Sequence, residues 1–294
     1  MPQPNLVKMV AAFAAVYLIW GSTYLAIRWG VEEIPPFLMA AARFLVSGAV
    51  FAAWALYRGA SRPTGRDWAT TIVIGVLMAT GGNGLVTWAL QRVPSGLGAL
   101  LVSMVPLWVA LTDWLRPNGV RPPTRVVFGI VIGFVGVALL INPADVGGVA
   151  VLDPLGAGTI VVASLFWALG SVYSRYAPQP SAHALSAGMQ MMGGGAAALV
   201  LSLATGELIG LDLGAVPATA FAAWAYVAVF GSVAYGSYLW LLKVSTPPKA
   251  ATYAYVNPVI ALVIGYFLAG EALTSWSLAC SAVVVVAVLI VVTR

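Results

Sequence analysis

The sequence predicts an all-α integral membrane protein, with ten transmembrane helices arranged as two inverted five-helix repeats. Three observations carry that prediction: apolar runs of membrane length, a one-sided distribution of basic residues, and blocks of sequence that recur between the two halves. The 294-residue chain is 61% hydrophobic and 8% charged, with a mean hydropathy of +0.97. A soluble domain carries about 25% charged residues, so there is too little polar side chain here to cover a globule.

The apolar runs follow one another along the chain at about the 20 residues that a bilayer requires. The first, 9–27, has no charge; the second, 34–57, has only Arg43. Then come 68–91, 93–112 and 126–144, and after a short polar link 154–174, 184–206, 213–242, 250–270 and 272–293. Backbone groups in lipid must be satisfied within their own segment, so each run is expected to be a helix. Little chain remains between them, leaving no room for a soluble domain. The first run reads as a retained helix and not as a signal peptide. Its basic flank is Lys8 alone, and "YLIWGSTY" stands where cleavage would fall. Cys280, the single cysteine, lies inside the last run and permits no intrachain disulfide.

Charge sets the expected orientation. With the N-terminus in the cytoplasm, eleven of the 14 basic residues fall on the inner side, against Asp67 and Asp113. The outer side then holds Arg28 and Arg92, with Glu32, Glu33, Asp145, Asp153, Glu207, Asp212 and Glu271. This is a strong positive-inside bias and places both termini in the cytoplasm. The basic residues are spread over several loops and form no single stripe, so the pI near 9.5 does not indicate a nucleic-acid partner.

Sequence blocks recur at a nearly constant offset. "LIWGSTYLAIR" at 18–28 pairs with "LFWALGSVYSR" at 165–175, which sets Trp20 on Trp167 and Arg28 on Arg175. "LMAAARFLVSG" at 38–48 pairs with "LSAGMQMMGGG" at 185–195, which sets Arg43 on Gln190. "NGLVTW" at 83–88 pairs with "YGSYLW" at 235–240, and "WALQRVPSGLGALLVSMVP" at 88–106 aligns without a gap on "WLLKVSTPPKAATYAYVNP" at 240–258. The expected repeats are 1–145 and 153–294. With five spans each, the second enters the membrane from the opposite side. Inverted repeats of this kind usually serve alternating access around a site near the bilayer midplane.

Certain residues within the spans could carry such work. Pro106 and Pro258 each remove a helix hydrogen bond and act either as hinges or as static kinks. Tyr17, Trp20 and Tyr24 share one helix face, as do Ser164, Trp167 and Ser171; Tyr235 with Tyr238 and Tyr253 with Asn257 form similar pairs. These aromatic residues either pack helices together or line an amphipathic cavity. Asn83 and Asn257 are amides at depth, bonded between helices or in contact with solute. Arg43 is the one charge well inside a span. It either snorkels toward the outer face or faces the cavity, where it could meet a carboxylate. Gly129, Gly133 and Gly136 form a small-residue face expected to pack within the molecule, and Gly193, Gly194 and Gly195 mark either close approach or a flexible point. His183 reads as a solvated helix end. No span centre carries Asp or Glu, so proton coupling through a membrane-embedded carboxylate is not expected.

With its two halves, its Trp in spans one and six and its Ala…Pro pattern in spans four and nine, the chain resembles the drug/metabolite transporter superfamily, and within it the EamA-type exporters, including those for aromatic amino acids. The resemblance implies a central cavity ringed by spans one to four and six to nine, with five and ten at the periphery. It also implies a Glu after span nine, matched by Glu271, whereas the first half has Asn118–Gly119 at the equivalent place. The expectation is therefore a bacterial inner-membrane exporter of small amphipathic metabolites, amino acids among them, surrounded by lipid. No cofactor, metal, nucleic acid or obligatory protein partner is expected. The competing readings are a proton-coupled exporter of other metabolites or drugs and, more remotely, an enzyme acting on a lipid substrate.

Overall fold

The computed structural model describes residues 6–116, 119, 121–141, 153–245 and 252–292. The described residues are helical, with short turns and no strand. The helices are α1 (Leu6–Val31), α2 (Pro36–Tyr57), α3 (Gly65–Ala89), α4 (Ser95–Leu115), α6 (Pro154–Tyr176), α7 (His183–Ala204) and α8 (Ala218–Val244), all seven long and apolar enough to cross a membrane. Three further apolar helices are α5 (Thr124–Ile141), α9 (Tyr253–Ala269) and α10 (Ser275–Val292). The boundary between the two expected repeats, at 142–152, and part of the recurring block at 240–258, residues 246–251, lie outside the described residues, as does Asn118.

Local chemistry explains where these helices begin and end. Pro36 and Pro154 sit in first turns, where a missing N–H costs nothing. Thr64 and Asp67 form a reciprocal capping box at the start of α3. Asp153 accepts from the Leu155 N–H at 2.9 Å. Gly270, at φ +62°, ends α9 in the left-handed conformation that glycine adopts without strain.

Two carboxylates from distant loops complete other helix starts. Glu207, between α7 and α8, accepts from the N–H groups of Phe37 and Leu38 at the start of α2 (3.1 and 2.8 Å). Glu271, between α9 and α10, accepts from those of Ser95 and Gly96 at the start of α4 (2.8 and 3.1 Å) and pairs with Arg28.

Packing brings α2 against α7, α4 against α9 and α5 against α10. It also sets α3 against α6, and α1 against α8 and α9. Glycine makes the α2–α7–α3 crossings close. A Cβ on Gly195 would stand 2.9 Å from the Leu45 nitrogen, one on Gly188 2.6 Å from the Ala52 nitrogen, and one on Gly193 2.9 Å from the Ile72 Cα. Gly75 and Gly194 face each other so tightly that a Cβ on either would overlap the other's backbone. Gly193–Gly195 thus mark close approach. Gly129, Gly133 and Gly136 meet Leu107 of α4 and Val283, Val284, Ala287 and Val291 of α10, so this face packs within the molecule as expected.

Pro106 requires a correction. The fourth span is not one helix kinked at this proline: it breaks at Ser103–Met104, and Pro106 stands in the first turn of the segment that restarts, Val105–Leu115. There the ring removes no helix bond, so the break lies just before the proline. Pro258 does lie inside its helix.

Candidate functional site

Among the described residues, three stretches of the bundle are π-helical, with one extra residue per turn: Ala15–Ile19 in α1, Val76–Gly84 in α3 and Val227–Gly231 in α8. Such segments redirect the side chains that follow and leave backbone groups to be satisfied otherwise, and they often occur at functional sites. All three border one interior region. The first delivers Trp20, whose indole N–H donates to the Gly231 carbonyl at the end of the third (3.4 Å). In the third, Ala228 O accepts from the Ser47 hydroxyl of α2 at 2.7 Å. Within the second, the Asn83 amide donates to Met78 O at 3.4 Å.

Between them lies a narrow cavity of about 50 Å³. Trp20, Thr23, Tyr24 and Ile27 of α1 line one wall; Gly82, Asn83 and Val86 of α3 and Val102 of α4 line the next. Ala163, Ser164 and Trp167 of α6 and Tyr253 of α9 complete it. Trp20 and Trp167, the pair that the repeat superimposes, meet edge to face with centroids 5.4 Å apart. Tyr238 packs on both (5.3 and 5.6 Å) and on Tyr253 (5.4 Å). Tyr235 extends the cluster from Trp167 (5.8 Å) to Phe44 (6.2 Å). Gly82 permits this, since a Cβ there would stand 2.9 Å from the Trp167 ring.

A smaller adjoining cavity, about 20 Å³, shares Trp20, Thr23 and Asn83 with the first. Arg43 and Phe44 of α2 and Val227, Gly231, Ser232 and Tyr235 of α8 supply the rest. Arg43 does not snorkel. It is 5% exposed, its guanidinium lies 4.3 Å from the Phe44 ring centroid, and Nε and Nη2 have no hydrogen-bond partner. The three ion pairs among the described residues do not include it.

Of the residues singled out in the sequence, Trp20, Tyr24, Arg43, Asn83, Trp167, Tyr235 and Tyr253 line these cavities. Tyr238 stands behind them as the support of both tryptophans, and its hydroxyl is 3.2 Å from the Ser171 hydroxyl. Asn257 is buried, its amide has no hydrogen-bond partner, and it lines neither of these two cavities. Tyr17 turns instead to Thr252, with which it hydrogen-bonds. Sequence reasoning missed Thr23, Phe44, Gly82, Gly231 and Ser232. The run Gly81–Gly82–Asn83–Gly84 was the available signal, because glycines around a deep amide mark a backbone approached by something else. Neither cavity is lined by Asp or Glu, and no group of acidic, His or Cys residues that could hold a metal occurs among the described residues.

Comparison with known proteins bears on what this cavity serves. The model of the EamA-like transporter family matches residues 7–142 and 154–293. The "uncharacterized inner membrane transporter YedA" of Escherichia coli strain K12 is 37% identical over 290 residues, covering 98% of this chain and 91% of that protein. The "uncharacterized transporter YoaV" of Bacillus subtilis is 26% identical, covering 92% and 91%. A solved crystal structure 19% identical in sequence superposes with a TM-score of 0.67 over 98% of this chain and 96% of that one, which is a likeness of fold.

Proposed function

Because the chain belongs to the EamA-like transporter family, we propose that it is an inner-membrane exporter of small amphipathic metabolites, amino acids with aromatic side chains among them. It works by alternating access between two inverted five-helix repeats. In this reading α1–α5 and α6–α10 are ten membrane spans with both termini in the cytoplasm. The observation that carries the proposal is the Trp20–Trp167 contact. One ring comes from each half, and the two meet on a cavity to which both halves contribute. An aromatic solute there would exchange water for ring faces and edges, each such contact contributing about 0.5–1.5 kcal/mol beyond burial. Further support comes from the helix partners: α2–α7, α4–α9 and α5–α10 each join a span to the one that the repeat superimposes on it. The family model also matches in two stretches that divide close to 145 and 153.

The test is flux of radiolabelled amino acids into liposomes holding the purified protein. Downhill flux is expected without an imposed pH gradient, since no carboxylate lines either cavity. Trp20→Ala and Trp167→Ala should each lower it roughly tenfold, the equivalent of about 1.4 kcal/mol of lost ring contact, with protein level in the membrane near that of the parent. If both variants transport as the parent does, the pair is packing and the path lies elsewhere. For the orientation, alkaline phosphatase fused to the C-terminus should be inactive, and an enzyme active in the periplasm would reverse the topology.

A further inference from the structure

We propose that the solute this cavity takes is a carboxylate anion, that Arg43 binds its charge, and that an amino group on it is not recognised. This rests on the reading of the cavity as the transport site and narrows the substrate class.

The argument starts from an unbalanced charge. A guanidinium stays protonated in proteins, and burying one without a partner is costly. Arg43 is buried, has two nitrogens without acceptors, and has only the Phe44 ring as a soft neighbour. It opens onto a cavity that it shares with Trp20, Asn83 and Tyr235. A solute carboxylate would supply both the missing charge and the missing acceptors, and the planar fork of a guanidinium suits it better than any neutral group. An ammonium on the same solute would find no carboxylate in either cavity, only neutral acceptors such as Thr23, Asn83 and Ser164, so it would gain less there than the carboxylate gains at Arg43.

A second observation points the same way. Where α6 ends and α7 begins, a vestibule of about 430 Å³ is lined by Arg175, His183 and Lys243, with no acid in its wall. Nearby Asp113 is engaged by Arg116 at 2.6 Å and Tyr176 at 3.4 Å. From this vestibule a polar ladder runs inward. Ser186 and Gln190 donate to Gln179 Oε1 (2.7 and 2.9 Å), and the Tyr235 hydroxyl donates to Gln190 Oε1 (3.2 Å). Tyr235 itself lines the Arg43 cavity. Basic residues therefore line the vestibule and recur at depth in Arg43, with neutral hydrogen-bonding side chains packed between them. That focuses anions and disfavours cations.

Four probes of one shape separate the possibilities: 3-phenylpropionate, phenylalanine, 3-phenylpropanol and 2-phenylethylamine. Binding is measured on the purified protein by calorimetry, and flux in liposomes. In the parent, the acid should bind at least as tightly as phenylalanine, the alcohol more weakly, and the amine most weakly. Arg43→Gln should weaken the acid by about 30-fold or more, the loss expected when one partner of a buried charge pair is truncated, and leave the alcohol within about twofold. Arg43→Lys should restore part of the acid's affinity. Lys243→Gln should slow entry of the acid at low salt and not at high salt. If the alcohol or the amine binds the parent as well as the acid does, the anion assignment is wrong while the transport site stands, and this comparison needs no variant. If Arg43→Gln folds and binds the acid unchanged, Arg43 is not the anchor. If none of the four binds or crosses, the cavity is not the transport site and both readings fall.

Discussion

A Gly75→Ala variant is expected to lose most of its folded protein in the membrane. A Cβ at this position overlaps the Gln190 carbonyl and lies 2.8 Å from the Gly194 nitrogen. Both are helix backbone, so no flexible side chain can yield; α3 and α7 must separate. Separation undoes the neighbouring contacts of Gly193 with Ile72 and of Gly194 with Ala79. In lipid such close contacts are the main attraction between helices, because surrounding acyl chains are as apolar as the side chains they replace. Overpacking costs 1–3 kcal/mol in ordinary cores; with rigid backbone on both sides we expect about 3 kcal/mol or more. The matched control is Gly158→Ala, where a Cβ meets nothing within 4 Å. That change should be neutral, or slightly stabilising through helix propensity. Thermal melting of the purified variants in detergent decides it, and equal midpoints for the two would show that the crossing can relax.

The second large effect is expected at Glu271. Its side chain is 5% exposed, caps α4 through the Ser95 and Gly96 N–H groups, and pairs with Arg28, which is one-third exposed. Truncation to Ala leaves two buried donors and a cation without their acceptor. The expected cost is about 2–4 kcal/mol, discounted for the solvent that reaches Arg28. Protonation should do part of the same. Burial opposes the ionised form, yet the Gly96 and Ser95 N–H groups and the Arg28 guanidinium outweigh it and hold this carboxyl below its ordinary range. A carboxylate with a depressed folded-state pKa adds stability that is fully present above the unfolded value, near 4.3. That stability disappears as pH falls through the folded value. Glu271→Gln should therefore melt lower than the parent at pH 7, with the gap closing as pH drops below about 4. A gap independent of pH would mean that the loss is one of packing and not of charge.

Several features of the candidate site were legible in the sequence because they are local or repeated. Trp20 and Trp167 stood out by depth and by the offset between halves, and Arg43 as the one charge inside a span. The helices α5 and α10 pack against each other and line neither cavity. Other features were not legible. The break at Ser103–Met104 carries no glycine, and its proline sits past the break, where the sequence pointed to a kink at the proline itself. Asn257 shares a helix face with Tyr253, yet only the tyrosine reaches the cavity. The Glu207 and Glu271 caps join residues 169 and 176 positions apart, a distance at which spacing has no meaning.

The sequence by itself determined the membrane class and the order of the apolar helices. A backbone in lipid must satisfy its hydrogen bonds within each segment, so length and apolarity, which are local properties, suffice to define a span. Only the tertiary structure decided which side of each helix faces inward. A helix that is apolar all round has no pattern to fix its rotation. That choice falls to glycine contacts such as Gly75 with Gly194, and to the π-helical turns before Trp20, around Asn83 and ahead of Ser232, each of which rotates the side chains beyond it. Rotation is what turns a buried tryptophan and an unpaired arginine into the walls of one cavity.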